Sequence, residues 1–177
     1  MPAPRQRRVR GRHAFSLSSP SARLATGPAS GGIAPGLAGI TLEQAQLVIT
    51  AAARQAQAIG QPMNIAIADE GGHLKAFLRM DDAWLGSINI AINKAFTARA
   101  FDLSTQKLAK PGEPFYGIQQ SNYGRVMIFP GGEPLLRNGR VVGAIGVSGG
   151  DNSQDQRVAE AGVEAFAQIP PQNVRAA

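Results

Sequence analysis

The apolar positions of this chain alternate between two periods, and the switches between them mark its elements. Thr41 opens a helix with Gln44 three residues on, the spacing of a capping box. Leu42, Ala45, Ile49, Ala52, Ala56 and Ile59 then recur at helical spacing until Gly60 closes the run. The stripe is mostly alanine, so this helix is expected to lie close against its neighbour. Asn64 to Asp69 alternates with period two and places Ile65 and Ile67 on one side. Asp69-Glu70-Gly71-Gly72 reads as a turn, and His73 to Met80 returns as the partner strand.

Helical spacing resumes at Ile88, Ala91, Ile92, Ala95 and Ala98 or Arg99, within Trp84 to Phe101. A short helix is expected over Ser104 to Ala109, ended by Lys110-Pro111-Gly112. The irregular run Glu113 to Arg125 follows, then a strand over Val126 to Phe129. Leu135-Leu136 and Arg140 to Val147 flank Asn138-Gly139. Asn-Gly suits a type I′ turn, in which both central residues take positive φ, so these runs form a tight hairpin. Gly143 and Gly146 lie inside its second strand, where glycine weakens a strand unless something approaches the backbone closely. We expect that neighbour to be a ligand or a second subunit. Gln154 to Ala167 is the last helix, with Val158, Gly162, Ala165 and Phe166 on one face.

The predicted order is α-β-β-α-α-β-β-β-α. It describes an α/β (α+β) domain with one mainly antiparallel sheet of about five strands flanked by helices. The glycines sit in hairpins rather than between a strand and a helix of a parallel unit, which excludes Rossmann and P-loop nucleotide sites.

Charge divides the chain in two. Residues 1–40 carry Arg5, Arg7, Arg8, Arg10, Arg12 and Arg23 and no acid, which accounts for the whole net charge of +6. Residues 41–177 hold twelve basic and twelve acidic side chains and form the expected domain. The basic, Ser/Pro/Gly-rich extension has little apolar surface to bury and is expected to be disordered. Nonspecific contact with nucleic acid is the most its arginines imply. A cytoplasmic protein is the expectation, with export or organelle targeting by the extension as the other reading. No apolar run approaches the length of a membrane span. The absence of cysteine excludes disulfides, thiolate metal sites and cysteine nucleophiles.

The domain's motifs resemble the haem-binding HbpS/GlcG-like family, which includes the C-terminal domain of PduO-type proteins. The motifs are Ile67-Ala68-Asp69-Glu70-Gly71-Gly72, Arg79-Met80-Asp81, Lys94-Ala95-Phe96-Thr97-Ala98, Gly131-Gly132-Glu133-Pro134 and Val142 to Gly150, with Asp155 opening the last helix. The resemblance runs from about Thr41 to Ala167. It implies haem or a related tetrapyrrole as cofactor, and a homo-oligomer, a dimer or larger. In a secreted haem-binding relative, the threonine of the Lys-Ala-Phe-Thr-Ala stretch lies against the haem iron, which makes Thr97 the corresponding residue. The binding set it suggests is Thr97, Lys94, Phe115, Tyr116, Gly131, Gly132 and Gly149, with His73 a second metal candidate.

Read from the residues alone, these positions have plainer alternatives. His73 follows a Gly-Gly turn at a strand end, where an exposed surface histidine is expected. Lys94 and Arg99 flank Thr97 and either meet a ligand's carboxylates or form a helix-surface pair. Asp69 caps its own turn, and Arg79 pairs with Asp81 across a pocket rim or on the surface. Asp151 and Asp155 serve the helix N-terminus. Phe115, Tyr116 and Tyr123 wall an apolar pocket, seal the sheet's end or meet a second subunit. An enzyme on a small organic metabolite would use Lys94, Arg79, Asp69 or Tyr116, and an accessory subunit would offer the glycine strand to a partner. Deletion of residues 1–39 should leave folding intact, as read by circular dichroism, while size-exclusion chromatography reports any change of oligomer.

Overall fold

The computed structural model describes residues 39–170. Residues 1–38 of the basic extension lie outside the described residues, whereas Ile40, expected at its end, belongs to the folded core: it is buried and its amide donates to the Val142 carbonyl at 2.9 Å. Helix α1, Leu42–Ala58, starts at Thr41 with the expected reciprocal bonds to Gln44. Strands β1, Asn64–Ala68, and β2, Leu74–Arg79, form the first hairpin. Helix α2, Ser87–Ala100, is followed by the single turn α3, Thr105–Leu108, and two 3₁₀ turns at Ile118–Gln120 and Asn122–Gly124. The second hairpin joins β3, Gly132–Arg137, to β4, Arg140–Ser148, and α4, Asn152–Gln168, ends the domain. Among the described residues no helix is long and apolar enough to cross a membrane.

The sheet has the order β2-β1-β4-β3, and every pair is antiparallel. Asn138 and Gly139 take φ of 51° and 75°, so the tight turn forms as its sequence demands. The two faces of the sheet are unequal. Ile65 pairs with Val147 and Ile67 with Ile145, and these large side chains pack with α1 and α4. On the opposite face Ala66 lies beside Gly146 and Ala68 beside Ala144, and this nearly flat surface meets Ala91 and Ala95 of α2.

That asymmetry sets the depth of α2. A Cβ at Gly146 would overlap the Ala91 carbonyl oxygen and the Ala95 amide, so helix and strand meet backbone to backbone. At Gly143 a Cβ would stand 2.7 Å from the Ala68 carbonyl and 2.8 Å from Ile40. The close neighbour expected at the glycine strand is thus the protein's own chain, not a ligand or a second subunit. Gly162 plays a similar part on the other face, where α4 settles against Val48 and Ile145.

The fifth expected strand is absent, and the order is α-β-β-α-α-β-β-α. Val126 to Phe129 has the apolar run of a strand, but its backbone finds other partners. The Met127 amide donates to the Thr97 hydroxyl, the Phe129 carbonyl accepts from the Thr105 hydroxyl, and Pro130 has no amide to offer. Leu42 also departs from its expected place, being half exposed while Val48 fills the core stripe. Replacing Gly146 with alanine should lift α2 off the sheet and cost about 1–3 kcal/mol or more, measured as a lowered urea midpoint.

Candidate functional site

Because α2 lies so close to β4, the residues that flank Ala95 are carried inside the molecule. Lys94 is 2% exposed, and its ammonium donates to the Val147 carbonyl at 2.8 Å and to Asp155 Oδ2 at 2.7 Å. The carboxylate that meets Lys94 is therefore the protein's own, and the residue is neither a surface partner nor open to a ligand. The other oxygen of Asp155 accepts from the amides of Gly149 and Gly150, at 3.1 and 2.9 Å. Asp151 alone serves as the α4 cap, through the Ser153 and Gln154 amides. Burial pushes the Lys94 ammonium below and the Asp155 carboxyl above their ordinary ranges, and their mutual attraction opposes both shifts.

The expected binding glycines surround this pair. A Cβ at Gly131, whose φ is 106°, would stand 2.8 Å from the Val147 carbonyl and 2.9 Å from the Asp155 side chain. The Gly131 amide donates to Gln156 Oε1, and the Gly132 amide donates to the Thr105 hydroxyl. At Gly149 the Pro62 carbonyl and Met63 occupy the space of a side chain. All three are packed by protein atoms.

Thr97 is completely buried. Its hydroxyl donates to the Asn93 carbonyl at 2.7 Å and accepts the Met127 amide at 2.9 Å. Thr105 repeats the device at the next bend, donating to the Phe129 carbonyl at 2.6 Å. Two helix threonines thus peg the irregular stretch that leads from Arg125 to Gly132. Next to it Glu133 accepts from Ser104 and, at 2.7 Å, from the Gln156 amide, whose nitrogen also donates to Glu160. Sequence reasoning missed Thr105, Ser104 and Gln156, because nothing in their spacing reports contacts made across 23 to 29 positions.

The stretch so held displays aromatic rings. Phe115 is 68% exposed, Tyr116 is half exposed, and Tyr123 is fully exposed on backbone of positive φ at Asn122 and Tyr123. Arg125 stacks on Phe96, with its guanidinium carbon 3.8 Å from the ring centre. Tyr116, Ile128, Phe129, Pro130, Pro111 and Ala109 wall an open depression of about 280 Å³, with Gln106, Lys110 and Asn152 on its polar side. Phe115 and Tyr123 are not among its lining residues.

The remaining candidates lie elsewhere. His73 is exposed at the start of the β2 hairpin arm, its Nδ1 3.6 Å from Asp69 Oδ1. Asp69 caps its turn by accepting from the amides of Gly71 and His73, both at 2.9 Å. Arg79 donates to the Ala83 carbonyl rather than bridging to Asp81. Arg99 pairs with Asp102. Among the described residues no group of three or more histidines and acids has the geometry of a metal site.

A four-stranded antiparallel sheet between two helix layers, with a buried lysine–aspartate pair at one end, defines the class to which the molecule belongs. The chain is a member of the HbpS-like family, whose model, described as haem degrading protein HbpS-like, matches residues 40–164. It is 38% identical over 136 residues to an uncharacterized 15.0 kDa protein of Citrobacter freundii from the dhaT-dhaS intergenic region, a match over 75% of this chain and 96% of that one. It is 34% identical over 130 residues to the corrinoid adenosyltransferase PduO of the same organism, covering 72% of this chain but only 39% of that enzyme. The crystal structure of a PduOC–haem complex superposes with a TM-score of 0.69 at 33% identity, over 72% of this chain and 94% of that one.

Replacing Lys94 with methionine strands the Asp155 carboxylate in the interior and should cost about 3–5 kcal/mol in urea unfolding. Adding Asp155→Asn should restore much of that, since the amide oxygen still accepts from Gly149 and Gly150. Without the ammonium, the Asp155 carboxyl in the Lys94→Met chain moves further above its ordinary 3.8. The folded state then binds a proton that the unfolded chain releases, so stability rises as pH falls toward that value. Thermal melts of Lys94→Met at about pH 5 should exceed those at about pH 8, and the double variant should lack the trend.

Proposed function

We propose that this protein binds haem or a related tetrapyrrole in the depression walled by Tyr116, Ile128 and Phe129, and does so as a homo-oligomer. The observation that carries the reading is a set of aromatic and proline side chains held open to solvent beside a cation, Lys110, in a chain of the HbpS-like family. Exposed aromatics around a concavity are the usual lining for a flat apolar ligand, and the cation suits carboxylate arms. The haem complex of the related PduOC supports the choice of ligand.

The size of the depression supports self-association. Pockets that enclose drug-sized ligands run from about 300 to 1,000 Å³, and a tetrapyrrole belongs in the upper part of that range. About 280 Å³ of open space covers only part of one face. A second copy would shield the remainder, and it would also bury Phe115 and Tyr123, which this chain leaves uncovered. The left-handed backbone at Asn122 and Tyr123 is strain of the kind that persists where a side chain must be displayed.

Thr97 enters this reading as a positioning residue. Its hydroxyl fixes the Met127 amide and, through it, the wall formed by Ile128 and Phe129. The Thr97 hydroxyl itself is occupied by backbone and does not line the depression.

Titration of the purified protein with hemin at micromolar concentration should give a saturable Soret shift, and its absence would overturn the proposal. Tyr116→Ala and Phe129→Ala should each weaken binding about two- to twelvefold, the equivalent of the ~0.5–1.5 kcal/mol of one aromatic contact. Thr97→Ala should weaken it too, and Thr97→Ser, which keeps the hydroxyl, should bind as the parent does.

A further inference from the structure

The aromatic depression does not stand alone. A second one, of about 390 Å³, adjoins it and shares Gln106, Pro130 and Asn152 as a common wall. Its character is different: the rest of its lining is Ser153, Gln156, Arg157 and Glu160, all from the first turns of α4. On the strength of these shared residues we take the two together as one trough, apolar at the Tyr116–Phe129 end and polar at the α4 end.

Its charges are arranged unevenly. Arg157 projects from the exposed side of α4 and forms no ion pair among the described residues. Lys110 is in the same state, since the bond it makes to Glu113 uses its backbone amide and leaves the ammonium free. Glu160, the one acid in the lining of either depression, accepts from the Gln156 side chain. A third depression, between α1 and β2, is larger at about 550 Å³ but has no charged residue in its lining, only Gln46 and Thr50 among apolar side chains. Size alone would favour that one; a ligand that carries both a flat apolar body and carboxylates fits the trough.

We infer that Arg157, assisted by Lys110, binds the carboxylate arms of the ligand whose ring lies against Tyr116 and Phe129, and so fixes which end of the ligand points toward α4. This rests on the tetrapyrrole reading above and adds its orientation and its chemical requirement. A guanidinium grips a carboxylate through two parallel N–H bonds, which adds a fixed geometry to the attraction of opposite charges. The site therefore selects free carboxylates over their neutral esters.

Hemin and its dimethyl ester, titrated in the same micellar buffer, separate the two claims. The parent protein should bind hemin about tenfold more tightly than the ester, the gain expected of one charge-assisted pair. Arg157→Gln should lower hemin affinity to that of the ester and leave ester affinity unchanged, with Lys110→Gln giving a smaller loss of the same kind. Both side chains lie outside the core, so an unchanged melting temperature will show that the variants fold. Equal binding of hemin and ester by the parent overturns the inference while the tetrapyrrole reading stands. So does an Arg157→Gln variant that binds hemin as the parent does, or that weakens both compounds alike. Failure of the parent to bind either compound overturns the underlying reading and this inference with it.

Discussion

The backbone contact between α2 and β4 at Gly146 governs what the rest of the molecule can do. One face of the sheet is built of Ala66, Ala68, Ala144 and Gly146, and α2 answers with Ala91 and Ala95. Apolar burial there is modest, because alanine contributes little area. What the surface offers is proximity. A helix at that depth brings its flanking side chains level with the strand ends, and residues that a helical wheel assigns to the boundary become interior. Lys94 and Thr97 are both placed in this way.

A lysine in that position needs a partner, and Asp155 meets the need at a junction of three elements. Its two oxygens tie α2, through Lys94, to the Gly149–Gly150 turn that launches α4. Desolvation of both charges opposes folding, so the pair contributes little net stability compared with a well-packed apolar substitute. Its value is positional. The observed arrangement of β4, α2 and α4 satisfies the ammonium, the carboxylate and the two glycine amides together. The Gly131 backbone, packed against Asp155 and the Val147 carbonyl, is held by the same arrangement.

Local chemistry was readable in advance, and long-range chemistry was not. The Thr41–Gln44 box, the Asp69 cap and the Asn138-Gly139 turn each depend on residues within four positions, and each forms as its spacing dictates. The chain's membership of its family was legible too, because several separated motifs carry it in order. The expected fifth strand failed because period and apolarity say nothing of where a backbone finds its hydrogen bonds, and the Thr97 and Thr105 hydroxyls claimed them first. Lys94 was misplaced for a related reason. Sequence shows a cation on a helix, but whether that helix lies against Gly146 is a fact about β4, some fifty residues away. Arg157 belongs to no motif, and only the fold brings it beside Pro130 and Gln106 in the lining of one depression.

The glycine-rich hairpin and the irregular aromatic stretch exchange roles once these contacts are counted. A strand lined with glycine suggests an opening, yet the amides of Gly131, Gly132, Gly149 and Gly150 all have protein partners, and the spaces beside them are filled. Those four amides are committed to the fold rather than to a ligand. The stretch from Pro111 to Pro130 is the reverse case. It has little regular structure, its bends are pinned from beneath by two threonines, and its rings face outward where burial would otherwise place them. Exposure of that much aromatic surface opposes solubility unless it is covered in use. The regular part of the molecule thus acts as a mount, and the exposed aromatic surface it carries is the part that sequence periodicity describes least.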